Sequence, residues 1–233
     1  MTYEARAQAT FSGVTLAPTT WGAASFHMST PWGNIVQNAM VEAEYALAKA
    51  LLAEIHHSNV PGAVVEFGLY EGRWLEYLLI EMEKLGMERR VLGFDSFEGL
   101  PELSSADEGM GWEKGQYSAA YEQVAARLNL SGRPNLTLHR GWFKDTIGLP
   151  EAAIDRVAYA RVDGDLYLSA VDSLRYLSGR LSDKSILVFD DWTFDENKGE
   201  TKAFFEWASS SGYSFKCLGF FSLGRLYMRV SKK

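Results

Sequence analysis

The chain has 233 residues, 47% of them hydrophobic and 23% charged, a balance that excludes a disordered or fibrous polymer. Twenty-three basic and 30 acidic side chains leave a formal charge of −7, which argues against a nucleic-acid partner, since that usually leaves a basic footprint. One cysteine, Cys217, rules out an intrachain disulfide framework and fits a reducing compartment.

Residues 1–33 are mixed and Ser/Thr-rich, with Pro18 and Pro31, and read as an irregular arm. They carry Glu4 and Arg6 but no continuous apolar core, so they do not read as a signal peptide. No run approaches the ~18 uninterrupted apolar residues of a membrane span, and the expected location is the cytoplasm. From 35 to 57, Val41, Tyr45, Ala48, Leu52 and Ile55 recur at helical spacing, ending at Pro61-Gly62. His56 and His57 fall in the last turn, where positive charge is favoured.

Short apolar runs then alternate with helical patterns. Strands are predicted over 63–67, 91–94, 136–139, 157–162 and 185–189, and helices over 73–85, 117–128, 166–177 and 201–209. Residues 214–221 and 225–230, joined through Ser222-Leu223-Gly224, read as an antiparallel hairpin. Continuously apolar strands alternating with helices imply a parallel sheet covered on both faces. No linker interrupts the pattern, so one domain is expected over 1–233, with an arm and helix over 1–57 and a Rossmann-like core over 58–233. Residues 96–116 lack periodicity and hold four glycines. A lid over a pocket and a disordered surface loop both suit such a segment.

In open α/β sheets, ligands bind beyond the carboxyl ends of the strands. The first strand leads into Glu66-Phe67-Gly68-Leu69-Tyr70-Glu71-Gly72. Its glycines permit a tight turn and close approach of a ligand, ahead of a helix start with unpaired N–H groups. The spacing is not that of the dinucleotide fingerprint. It better suits a cofactor with one carboxylate and one amine. Asp95 follows the second strand, 23 residues beyond Gly72, where an acid suits both ribose hydroxyls; a turn-capping Asp is the rival reading. Together these features imply an adenosyl ligand without a pyrophosphate. Tyr70 and Ser96 flank them. After the third strand, Gly141, Trp142 and Phe143 supply either a wall for adenine or core packing.

Strand four ends in Asp163-Gly164-Asp165 and strand five in Asp190-Asp191. If these strands are neighbours, their tips lie ~4.8 Å apart. Crowded carboxylates need a counter-charge. All-oxygen ligation without Cys or His points to Mg²⁺, Mn²⁺ or Ca²⁺. Both Asp190 and Asp191 can reach one ion only if the strand breaks between them; otherwise one is a ligand and the other a cap.

VVEFGLYEG, GFDSFEGLPE, GWFKDT, RVDGDLYLSAVDSL and ILVFDDW, in that order from about 64 to 192, closely resemble the macrocin O-methyltransferase family. The resemblance implies a class I S-adenosylmethionine-dependent methyltransferase fold: α/β, doubly wound, with a mostly parallel seven-stranded sheet, a C-terminal hairpin and an N-terminal helical extension. It implies Mg²⁺-dependent methylation of a sugar hydroxyl in antibiotic biosynthesis. Asp163, Asp190 and Asp191 match the metal ligands and Asp165 the general base. Glu66, Gly68, Gly72 and Asp95 match cofactor positions; Tyr70, Ser96, Gly141, Trp142, Phe143 and Asp163 complete the expected contacts. The implied partners are a sugar or glycoside and further copies of the chain, not nucleic acid or membrane. The pattern departs from the family at Arg73 and Trp74, where Gly and then Ser or Thr commonly stand. The rival functions are a catechol-type O-methyltransferase, an oxidative enzyme on this scaffold, which the lack of a His beside the aspartates argues against, and a non-catalytic binding module. Trp112, Tyr167, Trp192 and Phe194 are candidates to face a sugar ring.

Overall fold

A computed structural model describes residues 31–221 and 224–233. The expected arm up to residue 30 and the turn residues 222–223 lie outside this range. Among the described residues seven strands form one sheet: β1 Ala63–Phe67, β2 Val91–Asp95, β3 Leu136–Arg140, β4 Val157–Val162, β5 Leu181–Phe189, β6 Tyr213–Phe221 and β7 Arg225–Lys232. Their order is β3-β2-β1-β4-β5-β7-β6. The first five run parallel, while β7 is antiparallel to β5 and to β6. This is the expected doubly wound sheet with its terminal hairpin folded back so that the last strand lies inside.

The helices are α1 Pro31–His57, α2 Arg73–Lys84, α3 Tyr121–Arg127, α4 Phe143–Thr146, α5 Tyr167–Leu177 and α6 Gly199–Ala208. Strands β1 and β2 are buried at every position, as strands covered on both faces must be. On one face Phe67, Phe94, Val162 and Phe189 pack with Ala170 and Leu174 of α5 and with Phe204 of α6. On the other, Val64, Val91 and Val188 meet Leu52 and Ile55 of α1 and Leu75 and Leu78 of α2. Each such buried side chain contributes about 1.5–3 kcal/mol relative to exposure. No helix among the described residues is long and apolar enough to cross a membrane.

Several boundaries differ from those predicted. Helix α1 already includes residues 31–34, ahead of the expected start at 35, and proline is tolerated early in a helix. Helix α3 starts at Tyr121, not 117; Tyr117 has φ 59°, a left-handed conformation no α-helix accepts. Strand β5 reaches back to Leu181 through exposed Asp183 and Lys184, with a register shift against β4. Short α4 was not predicted, since four residues are too few to show a period.

The segment 96–116 is ordered and pinned at both ends. Leu100 N–H donates to the Gln116 carbonyl at 2.8 Å and Gly115 N–H to that of Leu100 at 2.9 Å. At its centre buried Asp107 accepts from the Ser104 N–H (2.9 Å) and from the Tyr167 N–H (2.7 Å). A carboxylate at the α5 N-terminus is favoured by the helix dipole, so this bond fixes the loop across the carboxyl end of the sheet.

Candidate active site

Strand order reverses between β1 and β4, and a ligand crevice opens where it does. The backbone ladder aligns the strand tips there. Gly68 N–H donates to Phe94 O (2.9 Å), Asp163 N–H to Phe67 O (2.8 Å) and Asp190 N–H to Val162 O (2.9 Å). Gly68 has φ 88°, and a Cβ on it would lie 1.7 Å from the Asp163 carbonyl oxygen. Only glycine lets β1 turn this close to β4.

A cavity of about 650 Å³ opens above these tips, within the usual range for a small-molecule site. Glu66, Gly68, Tyr70, Asp95, Ser96, Trp142, Phe143, Asp163, Asp165, Asp190 and Asp191 all line it. Two expected contacts do not. Gly72 (φ 75°) instead caps α2. Gly141 (φ 138°) turns the chain against Thr146, whose Cγ2 a Cβ would approach to 3.1 Å. Both are needed for backbone geometry behind the cavity wall.

Asp95 braces the glycine turn. Its Oδ2 accepts from the N–H groups of Leu69 (2.6 Å) and Tyr70 (3.0 Å), and its Oδ1 from Phe97 N–H (2.6 Å). The capping reading is therefore realised in this structure, while Oδ1 keeps one acceptor position. Burial raises the Asp95 pKa against the lowering effect of those three bonds. Glu66 is buried and its Oε2 has no hydrogen-bond partner. Burial holds its pKa well above the carboxylate range, only partly opposed by Arg161. An unpartnered carboxyl oxygen at a cavity wall suits a ligand N–H or O–H donor.

Asp163, Asp165 and Asp191 each offer one oxygen, and these oxygens lie within 4.8 Å of one another. The expected ligand set was Asp163, Asp190 and Asp191. Asp190 stands outside the trio, because its Oδ1 accepts from the Arg161 Nη2 and, at 3.0 Å, from the Arg225 Nε. Strand β5 ends at Phe189, so Asp190 and Asp191 are freed from strand alternation and point to different partners. Asp165 sits at φ 59° at the centre of a three-residue turn closed by Leu166 N–H to Gly164 O at 2.6 Å. Such turns are strained and uncommon for a residue with a side chain.

The electrostatics follow from crowding. Burial, and next the charge of Asp190, push the Asp165 pKa up to about 7, opposed by a hydrogen bond with Asp191. Asp163 and Asp191 are held well above the usual range by burial and then by neighbouring aspartates. Asp163 still keeps 27% of its side-chain surface exposed. The donor set of clustered carboxylates with unmet charge fits a hard divalent cation.

Sequence reasoning missed four supports. Glu200, fully buried at the start of α6, accepts from Gly164 N–H (3.2 Å) through Oε1 and from Asp191 N–H (3.1 Å) through Oε2, and so ties the two acidic turns together. Arg161, Glu44 and Arg225 form an ionic layer beneath the aspartates. Trp74, at the departure from the family turn, stacks on Arg161 with the guanidinium carbon 4.3 Å from the ring centre. Arg73 is exposed and paired with Glu71 at 2.6 Å. Of the proposed sugar-facing aromatics, Trp112 and Trp192 line the cavity. The Tyr167 hydroxyl instead donates to Glu206 at 2.7 Å, and Phe194 pairs with Phe220 at 5.4 Å.

Comparison with known proteins places the chain. A profile of the family described as Macrocin-O-methyltransferase (TylF) matches residues 25–208. The chain is 36% identical over 146 residues to the 8-demethyl-8-(2,3-dimethoxy-alpha-L-rhamnosyl)-tetracenomycin-C 4'-O-methyltransferase of Streptomyces olivaceus, covering 59% of this chain and 55% of that one. It is 29% identical over 145 residues to the mycinamicin III 3''-O-methyltransferase of Micromonospora griseorubida, covering 58% and 56%. The chain thus spans about half the length of the curated relatives it matches. Its fold resembles that of the O-methyltransferase NovP, with a TM-score of 0.68 at 22% identity over 81% of this chain and 80% of that one. With the family profile spanning most of the sequence, the chain belongs to the macrocin O-methyltransferase family.

Proposed function

We propose that this protein transfers a methyl group from S-adenosylmethionine to a hydroxyl of a sugar or glycosylated small molecule, with a divalent cation, Mg²⁺ by preference, at the aspartates. The supporting observation is the convergence of Asp163, Asp165 and Asp191 in one cavity with the glycine turn at the β1–β4 reversal. The relatives are named for O-methylation of a rhamnosyl-tetracenomycin and of mycinamicin III.

S-adenosylmethionine, when bound, supplies an electrophilic sulfonium methyl. Glu66, with its unpartnered Oε2, offers an acceptor for the donor's ammonium; Asp95, Ser96 and the Trp142–Phe143 wall receive the adenosyl part. The cation, when bound, lowers the pKa of a coordinated hydroxyl and fixes its place. Asp163 and Asp191 would hold it, and Asp190, whose Oδ1 is taken by Arg161 and Arg225, lines the same cavity. Asp165 takes the hydroxyl proton as the carbon–sulfur bond breaks and the carbon–oxygen bond forms. Its position beside both ligands, at the tip of a strained turn, suits that role. A reducing, cytoplasmic setting accords with Cys217, a free and buried thiol.

The test is turnover of S-adenosylmethionine with a panel of glycosides and catechols. Methyl transfer to a glycoside is expected, at least ~100-fold lower after exhaustive chelation and restored by Mg²⁺. Consumption of a catechol and no glycoside would move the acceptor class. Full turnover after chelation would remove the cation.

The mouth of the cavity carries three rings. Tyr117 meets Tyr70 edge-on at 5.6 Å and Trp112 at 6.0 Å. Tyr117 lines the cavity together with Asp163, Asp165 and Asp191, and their charges add to its burial in raising its pKa. Tyr117→Ala is expected to raise the acceptor KM roughly 3- to 10-fold and to leave S-adenosylhomocysteine affinity unchanged. Isothermal titration beside steady-state kinetics separates the two effects, and an unchanged KM would take the ring out of the acceptor site.

A further inference from the structure

Beneath the aspartates lies the guanidinium of Arg161, two residues before Asp163 near the end of β4. Arg161 lies on β4, on the face that packs against α1 and α2, and is 2% exposed. Its Nε is 3.1 Å from Asp163 Oδ2, and its Nη2 donates to Asp190 Oδ1. Its Nη1 lies 3.5 Å from Glu44 Oε1, an ion pair outside hydrogen-bond geometry. Trp74 covers the guanidinium face. Glu44, only 3% exposed on α1, also faces Arg225 Nε at 3.4 Å and accepts from the Tyr227 hydroxyl at 2.9 Å.

These contacts divide the oxygens of the two aspartates. Asp163 meets Arg161 through Oδ2, and Asp190 meets Arg161 and Arg225 through Oδ1. Each keeps its second oxygen for another partner. A carboxylate held by one oxygen in a rigid fork can present the other to an ion without a search through rotamers. The remaining guanidinium nitrogen faces the charge of Glu44 at 3.5 Å, from a helix outside the alternating strand–helix core.

We propose that Arg161, backed by the charge of Glu44 on α1, is the positioning residue that sets the cation-binding carboxylates in place. This rests on the reading that a divalent cation binds at these aspartates. A bare counter-charge would act differently: it would neutralise the cluster from any nearby point and would need neither planarity nor a tie to α1. Arg161→Lys separates the two, because lysine keeps the charge and loses the planar fork. Glu44→Gln leaves Arg161 in place and weakens its anchor.

The experiment is Mn²⁺ titration of the full chain, followed by electron paramagnetic resonance, with circular dichroism and thermal melts to confirm folding. The unaltered protein is expected to bind Mn²⁺ saturably, Arg161→Lys to bind it about 10- to 100-fold more weakly, and Glu44→Gln about tenfold more weakly. If Arg161→Lys does not fold, Glu44→Gln decides alone. Folded variants that bind Mn²⁺ as tightly as the unaltered chain would overturn the positioning role and leave the cation reading standing. An unaltered chain without saturable Mn²⁺ binding would overturn both.

Discussion

Asp165→Asn is expected to lower the methyl-transfer rate by ~10²–10⁴-fold, the usual worth of a positioned general base, while S-adenosylhomocysteine still binds. The substitution is nearly isosteric. Asparagine also tolerates the left-handed backbone conformation that position 165 adopts at φ 59°, so the turn and the neighbouring ligands stay where they are. What is lost is the ability to accept a proton beside the acceptor hydroxyl. Burial and the Asp190 charge push the Asp165 pKa up to about 7, so the carboxylate binds a proton more tightly than an exposed aspartate would. Single-turnover kinetics with saturating cofactor and Mg²⁺ provide the measurement. A rate near that of the unaltered protein would move the base elsewhere, and a matching loss of cation affinity would make Asp165 a ligand instead.

The architecture was legible because its signals are local. A continuous apolar run such as Ile-Leu-Val-Phe at 186–189, or one broken by a single acid such as Val-Val-Glu-Phe at 64–67, marks a strand buried on both faces. The acidic tips were legible because Asp163 and Asp190 follow such runs directly. What the pattern could not give is direction. Asp190 and Asp191 are adjacent in sequence, yet one turns to two arginines and the other joins the acidic trio. That split is set by Arg161, Arg225 and Glu44, which come from β4, β7 and α1 and meet only in three dimensions. One signal was available: an arginine within Val-Ala-Tyr-Ala-Arg-Val is a charge inside a fully buried strand, and buried charges need partners. Glu200 gave no signal, since an acid in the first turn of a helix is ordinary. The segment 96–116 was left open between lid and disorder because Asp107 reveals its role only once the α5 N-terminus is in place to receive it.

Gly68→Ala is expected to cost roughly 3–5 kcal/mol of stability, combining backbone strain with a steric overlap that has nowhere to relax. The added Cβ would fall 1.7 Å from the Asp163 carbonyl oxygen and 2.7 Å from its carbon. Relief by local shift is blocked, because ladder bonds of 2.9 Å to Phe94 and of 2.8 Å between Asp163 and Phe67 hold both chains. The strands must separate at the point where the cavity opens. Gly86→Ala is the control: its φ of 65° is also positive, but nothing lies within 4 Å of the new atom. That change should cost only ~1–2 kcal/mol, the conformational part alone. Chemical denaturation of both variants isolates the overlap as their difference. Because Asp163 directly precedes the turn that bears Asp165, residual folded Gly68→Ala protein should also bind cofactor product and Mn²⁺ more weakly, whereas Gly86→Ala should bind both normally. Equal stability losses would show that β1 and β4 can part without penalty, and that the close approach of their tips is not what shapes the site.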